Sequence, residues 1–212
     1  MRTVRRFAAL ALAAALLTAA AIPVRAAEEL HCAYLAGFPD GSVRPEAPVT
    51  RAQLAVIFSR LADMVQEPAE ACTADVSAEH WACAAVSLVC RTELMAPEAD
   101  GLFHPDAPVT GPELAWTLAR LCENEAAAAV WPELSQGWAA QEISFDAGAG
   151  WVMGFDGQTF DADAPLSRAA LVRILNGLLG RTPSSVEDLQ IGMPVFSDNR
   201  DTEKWYFLPI QE

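Results

Sequence analysis

Apolar side chains return at helical spacing in three stretches of the chain. Leu54, Ile57, Phe58, Leu61 and Val65 form the first, Leu114, Leu118 and Leu121 the second, and Leu171, Ile174, Leu175 and Leu178 the third. Each set lies along one side of a helix, so each stretch predicts a helix with a single buried face. A hydroxyl residue stands in front of every stretch: Thr50, Thr110 and Ser167. Three positions later come Gln53, Glu113 and Ala170. The first two pairs predict capping boxes, in which the hydroxyl accepts from an orphan helix N–H and the Gln or Glu side chain reaches back to the cap.

What precedes each helix also recurs, as Gly37–Gln53 (GFPDGSVRPEAPVTRAQ), Asp100–Glu113 (DGLFHPDAPVTGPE) and Gly154–Ala170 (GFDGQTFDADAPLSRAA). The pairs Asp40-Gly41, Asp100-Gly101 and Asp156-Gly157 predict tight turns with glycine at positive φ. Pro48, Pro108 and Pro165 phase the copies. Trp81 and Trp138 fall in the corresponding upstream segments Asp75–Cys83 and Trp131–Ala140, and Trp205 follows Phe196-Ser197-Asp198 in the same manner. These tryptophans sit near predicted helix starts, where they anchor the core of a repeat; half exposed at a groove, the same ring is a platform for a sugar. A period of about 60 residues means a small unit stacked on itself, so function is sought in grooves between copies rather than in a catalytic cleft.

Met1–Ala26 reads as a secretory signal: Arg2, Arg5 and Arg6, an apolar run Phe7–Ile22, then Val24-Arg25-Ala26 as a cleavage site. The run is short for a membrane span, and no later stretch reaches the roughly 20 apolar residues that spanning requires. Removing the signal leaves 10 basic against 28 acidic residues, a net charge of −18, with Lys204 the only lysine. That field repels nucleic acid and anionic lipid, so an anionic ligand has to be held locally by particular arginines. The remaining residues suffice for a sizeable core, with irregular joints expected at Gln66–Ala71, Glu123–Ala129 and Arg181–Met193. Cys32, Cys72, Cys83, Cys90 and Cys122 all lie in the exported part, where disulfides persist. Cys83 and Cys90 stand about 10 Å apart along one predicted helix and cannot bridge each other. Two bridges with a spare thiol can be drawn in about 15 ways, and five reduced, buried thiols are the alternative.

Capping explains the Thr and the Gln or Glu of each copy but not the arginine. Arg51 and Arg168 occupy the first helical position, where a cation faces the positive end of the helix dipole. A guanidinium there, with free backbone N–H groups beside it, can clamp a carboxylate or phosphate; the plain alternative is pairing with an acid of a neighbouring copy. The order Asp-x-x-x-x-His-Trp-Ala in Asp75–Ala82, then Gly-Phe-Pro-Asp-Gly-x-x-Arg-Pro and Ala-Pro-Val-Thr-Arg-Ala-Gln in Gly37–Gln53, resembles the S-layer homology domain. The similarity covers nearly all of Ala33–Glu212.

The resemblance implies a mainly α fold, a pseudo-threefold prism of helix-loop-helix repeats with short extended segments. In that family the grooves hold a pyruvylated secondary cell wall polymer, through an arginine aided by an aspartate, a glycine and the tryptophan of the first helix. Carried over, the glycan-binding set is Arg51, Arg168, Asp40, Gly41, Asp156, Gly157, Trp81, Trp138 and Trp205, with Asp100 at the middle turn. The middle copy has Gly111 followed by Pro112 where the arginine should stand, which leaves at most two competent grooves. The first copy lacks room for its Trp-bearing helix, and the stretch from Phe196 to Glu212 reads as the missing half, with a fourth repeat cut off by the end of the chain as the competing reading. The expected partition is signal peptide 1–26, N-terminal half-repeat 27–69, repeats 70–129 and 130–184, and linker with C-terminal half-repeat 185–212, the last closing the ring on the first.

Catalysis finds little support. The histidines are His31, His80 and His104, without His-Glu-x-x-His, Cys-x-x-Cys or Gly-x-Ser-x-Gly. His80, Cys83 and Cys90 have poor zinc spacing and no fourth ligand. Asp161 with Asp163, and Asp198 with Asp201, lack the remainder of a calcium loop. The expectation is a non-enzymatic, cofactor-free module of the cell wall or cell surface that binds an anionic wall polysaccharide or peptidoglycan-linked glycan, with S-layer or other surface proteins as further partners. The alternative is a secreted structural or protein-interaction module on the same scaffold without glycan binding.

Overall fold

Three hydroxyl-capped helices radiate from a small ring of backbone hydrogen bonds. The computed structural model describes residues 33–62, 71–132, 134, 145–146, 151–152, 164–189 and 195–211, all within the compact unit Cys32–Glu212. The signal peptide, Cys32, Trp138, Asp156, Gly157, Asp161, Asp163 and most of the joint after Val65 lie outside the described residues. Among those described, the helices are α1 Arg51–Leu61, α2 Cys83–Arg91, α3 Gly111–Glu123, α4 Glu125–Val130, α5 Arg168–Leu178 and α6 Phe207–Gln211. A two-residue ladder, β1 Phe145–Asp146 against β2 Trp151–Val152, and a 3-10 turn Val186–Asp188 complete them. The fold is mainly α.

The ring closes through one residue of each copy. The Val49 N–H donates to the Leu166 carbonyl at 2.9 Å, Leu166 to Val109 at 2.7 Å, and Val109 back to Val49 at 2.8 Å. Antiparallel bridges Pro48–Ser167, Thr50–Pro108 and Thr110–Pro165 flank this cycle. Each pair needs only one such bond, so the prolines, which cannot donate, fit beside it. Val49, Val109 and Leu166 are buried at the centre of one apolar core that takes in Leu54, Phe58, Leu114, Leu118, Leu171 and Leu175.

The caps decide where the helices begin. Thr50 and Gln53 form the reciprocal box, each N–H to the other's side-chain oxygen at 3.3 Å. Thr110 and Ser167 accept from Glu113 N–H and Ala170 N–H at 3.4 and 3.2 Å. The box expected at Thr110 does not form, because the Glu113 carboxylate turns to the Arg51 guanidinium, a charge-assisted bond stronger than one to a neutral backbone N–H. The joint expected at Glu123–Ala129 is likewise corrected. Asn124 accepts from Ala126 and Ala127 N–H and starts α4, whose end delivers Trp131 into the core. That indole donates to the Phe58 carbonyl at 2.7 Å and meets the Phe58 ring edge-on at 5.8 Å.

Two carboxylates hold the extended pieces in register. Asp75 accepts from Phe103 and His104 N–H at 2.9 and 2.7 Å. Asp198 accepts from Val43 and Arg44 N–H, both at 2.8 Å. Val43-Arg44 and Phe103-His104 are matching positions of two copies, so the C-terminal segment serves the first copy as residues near Asp75 serve the second. Ser197 N–H adds a bond to the Gly41 carbonyl at 2.9 Å, and Phe196 packs so close to Gly37 that a Cβ there would lie 2.6 Å from its ring. On the other side Asn176 of α5 donates to Pro209 of α6 at 2.8 Å.

Candidate functional site

The first-turn arginines point across a seam into the next copy. Arg51 is 6% exposed; its Nε donates to the Phe103 carbonyl at 2.6 Å, Nη2 to Ala96 at 2.8 Å, and Nη1 to the Glu113 carboxylate. Arg168 is 4% exposed and donates from Nε to Val43 and from Nη2 to Ala36, both at 2.7 Å. Val43 matches Phe103 and Ala36 matches Ala96, so the two grips are one device used twice. Each guanidinium also lies over a ring, Arg51 on Phe103 at 4.7 Å and Arg168 on Phe38 at 5.0 Å. The dipole penalty is offset by carbonyls of a neighbouring copy.

The seams differ in charge. At the first, Glu113 neutralises Arg51; burial pushes the Glu113 carboxyl up, against the pull of Arg51 and with a further push from Glu98. At the seam between α5 and the first copy, the positions matching Glu98 and Glu113 are Phe38 and Gln53. Among the described residues Arg168 therefore has only neutral carbonyls at hydrogen-bond distance. Burial, then the charges of Arg44 and Arg60, hold its pKa down, with Asp198 opposing them. Arg44 stacks on the other neighbour of this group, 3.9 Å from the Phe38 ring centre, and its side chain is half exposed. At the remaining seam Gly111 replaces the arginine and Ala170 the acid, so both halves of the grip are missing together. Pro112 also lacks the N–H that Ala52 and Ala169 give to Pro105 and Pro45, each at 2.9 Å.

The turn aspartates face their own loops. Asp40 accepts from Ser42 N–H at 2.9 Å and from Arg44 at 3.0 Å; bonds from Ser42 and Arg44 hold its carboxyl down at about 2. Asp100 accepts from Leu102 N–H at 2.9 Å and lies 2.8 Å from His104 Nε2. Gly41 and Gly101 take φ of 79° and 81°, and the matching residues Arg44 and His104 share left-handed φ of 51° and 54°. The expected turns therefore form at both described copies.

Trp81 and Trp205, read in the sequence either as core anchors or as half-exposed platforms, are 60% and 51% exposed and are not in the core. Each precedes its helix by two residues, outside the buried face, while Trp131 fills the core instead. Trp205 carries Arg173 over its ring at 5.3 Å. Sequence reading missed Arg44 and Phe38; their place in the first repeated segment, one residue from Pro45 and Pro39, was the available signal. It also missed Trp116, exposed beside an open groove of about 400 Å³ lined by Glu93, Arg120, Glu123, Asn124 and Glu125. Among the described residues there is no group of three or more His, Cys, Asp or Glu that could hold a metal, and no helix long and apolar enough to cross a membrane.

The S-layer homology domain profile matches residues 34–55 and 73–115, the stretches that carry Arg51, both described turns and the Asp75 clamp. A cellulosome-anchoring protein of Acetivibrio thermocellus is 31% identical over 164 residues, 72% of this chain and 37% of that protein. Cell surface glycoprotein 1 of the same organism is 28% identical over 198 residues, 86% of this chain and 8% of that protein. The chain thus spans little more than a third of the first relative and under a tenth of the second. Joined to the three-membered backbone ring and the repeated arginine grip, these matches make the chain a protein of the S-layer homology domain family.

Proposed function

We propose that this chain is a non-covalent cell-wall anchoring module, located at the cell surface and without catalytic activity. The relatives' names point the same way: one anchors a cellulosome, the other is a cell-surface glycoprotein. The repeats run 27–69 with 185–212, then 70–129 and 130–184, and the grooves lie at their seams. Carboxylated sugars, such as the pyruvylated units of a secondary cell wall polymer, are gripped at the Arg168 seam with help from Arg44, Asp40, Gly41 and the exposed Trp205. Asp156, Gly157 and Trp138 belong to the same proposed glycan surface by motif.

One observation carries this reading: among the described residues Arg168 has no carboxylate partner, and Arg44 lies on the same Phe38 ring, on a chain that is otherwise strongly acidic. Arg51 has already spent its charge on Glu113 and acts in the proposal as a structural tie, with Trp81 flanking its copy. Arg44 shares its charge with Asp40 at 3.0 Å, so among the described residues the unneutralised cation of the site is Arg168, which in a negative field selects for a ligand that brings both negative charge and close hydrogen bonding.

The test is sedimentation of the purified chain with cell wall sacculi. Wild type and Arg51→Gln, provided the latter remains folded, should pellet alike, while Arg44→Gln should stay in the supernatant with an unchanged melting temperature. Unaltered pelleting of Arg44→Gln and of a folded Arg168→Gln would remove the proposed site. The third grip, with Gly111, Pro112 and Ala170 in place of the arginine, the N–H donor and the acid, favours a second reading, a surface scaffold whose grooves have drifted; wild type that fails to pellet yet forms a defined oligomer supports it.

A further inference from the structure

The groove beside Trp116 lies within the middle copy rather than at a seam, since its lining residues all fall between Glu93 and Glu125. Trp116, Arg120 and Glu123 stand four and then three residues apart on α3, which puts them on the side opposite the buried Leu114, Leu118 and Leu121. Arg120 is nine residues past Gly111, about 14 Å along the helix from the turn where that copy's arginine would stand. The indole is 58% exposed. Arg120 rests over it at 5.7 Å and donates from Nη1 to the Glu93 carbonyl at 2.7 Å, which braces the ring against the opposite wall. Asn124 spends its Oδ1 on the Ala126 N–H and its Nδ2 on the Thr92 carbonyl, at 2.9 and 3.0 Å, and reaches the Glu93 carboxylate at 3.4 Å. The cavity of about 400 Å³ falls within the roughly 300–1,000 Å³ of small-ligand sites.

The lining carries three glutamates against one arginine, and α2 and α3 end at this groove, at Arg91 and Glu123, with the negative ends of their dipoles. Glu93 has a left-handed φ of 56°, a helix-end position that glycine fills without steric cost, so the backbone does not account for its carboxylate. We propose that this groove is a second carbohydrate site, which takes a sugar ring bearing a protonated amino group. The indole offers a flat apolar face to the C–H side of a pyranose, while Glu93, Glu123 and Glu125 accept from its ammonium and hydroxyl groups. A ring with polar edges fits better than an extended basic peptide, whose ammonium groups would compete with Arg120 for the indole. An N-acetyl group removes the attracting charge, and a carboxylated sugar is repelled. This site and the Arg168 seam thus select sugars of opposite charge, and neither depends on the other.

The experiment is isothermal titration calorimetry of the purified chain at about 0.15 M salt, where diffuse attraction to an acidic surface is screened. The probes are a glucosamine tetramer, its fully N-acetylated counterpart, tetragalacturonate and tetralysine. The glucosamine tetramer should bind one to one, and each of the other three at least about tenfold more weakly. Trp116→Ala, an exposed change, should weaken the glucosamine tetramer by about tenfold or more at unchanged melting temperature, and Glu93→Gln should weaken it in the same direction. No binding of the glucosamine tetramer, or binding that Trp116→Ala leaves intact, would overturn the proposal. Equal affinity for the N-acetylated tetramer would do so too, by removing the charge selection. Tetralysine that binds as tightly and is equally lost in Trp116→Ala would replace the sugar with a basic peptide.

Discussion

Arg51 leaves the first turn of its own helix and closes on Glu113, at the fourth position of the next repeat's motif. The arginine and the acid of one seam therefore belong to different copies. This explains why the arginine and the acid are missing together at Gly111 and Ala170: those positions are the two ends of a single grip.

Replacing Arg51 by Met should destabilise the protein by about 3 kcal/mol, since it strands the Phe103 and Ala96 carbonyls and breaks a largely buried ion pair. Urea unfolding measures it. The double variant with Glu113→Gln should cost little more than Arg51→Met alone; full additivity would show that the two side chains act separately.

The Asp75 clamp gives stability an acid limit. Burial raises this carboxyl, but the Phe103 and His104 N–H bonds outweigh it and hold it below 3.8. A depressed carboxyl contributes stability above its unfolded value and loses it as pH falls through the folded one. Asp40, Asp100 and Asp188 shift the same way. The melting temperature should hold steady to about pH 5 and decline below about pH 4; Asp75→Asn should melt lower at neutral pH and decline less steeply. An identical pH profile for the variant counts against the clamp.

Removing residues 199–212 deletes α6 and the Asn176–Pro209 bond and weakens the seating of Asp198 on Val43 and Arg44. A fall in melting temperature of at least about 5 °C is expected. No change would refute closure of the first copy by the C-terminal segment.

Trp81→Ala and Trp205→Ala should each change stability by less than about 1 kcal/mol, whereas Trp131→Ala should cost about 3 kcal/mol or more. Loss of wall pelleting by the Trp205 variant at unchanged melting temperature would mark that ring as a sugar platform. A large stability loss in either exposed variant would return it to the core.

The sequence by itself determined the local chemistry. Helix faces, caps at Thr50, Thr110 and Ser167, positive-φ glycines at 41 and 101, and the repeated order of these parts are all set by residues within a few positions of one another. Only the tertiary structure decided what depends on which copies touch. It sent Glu113 to Arg51 instead of back to Thr110, left Arg168 bonded to neutral carbonyls with Arg44 on the same Phe38 ring, and placed Trp131 rather than Trp81 in the core. Hydrogen-bond partners and charge neighbours more than about 10 residues away follow from how the copies close on one another. A short periodic motif fixes its own turn and cap, but the same arginine becomes neutralised or available according to the acid or amide that the adjoining repeat presents.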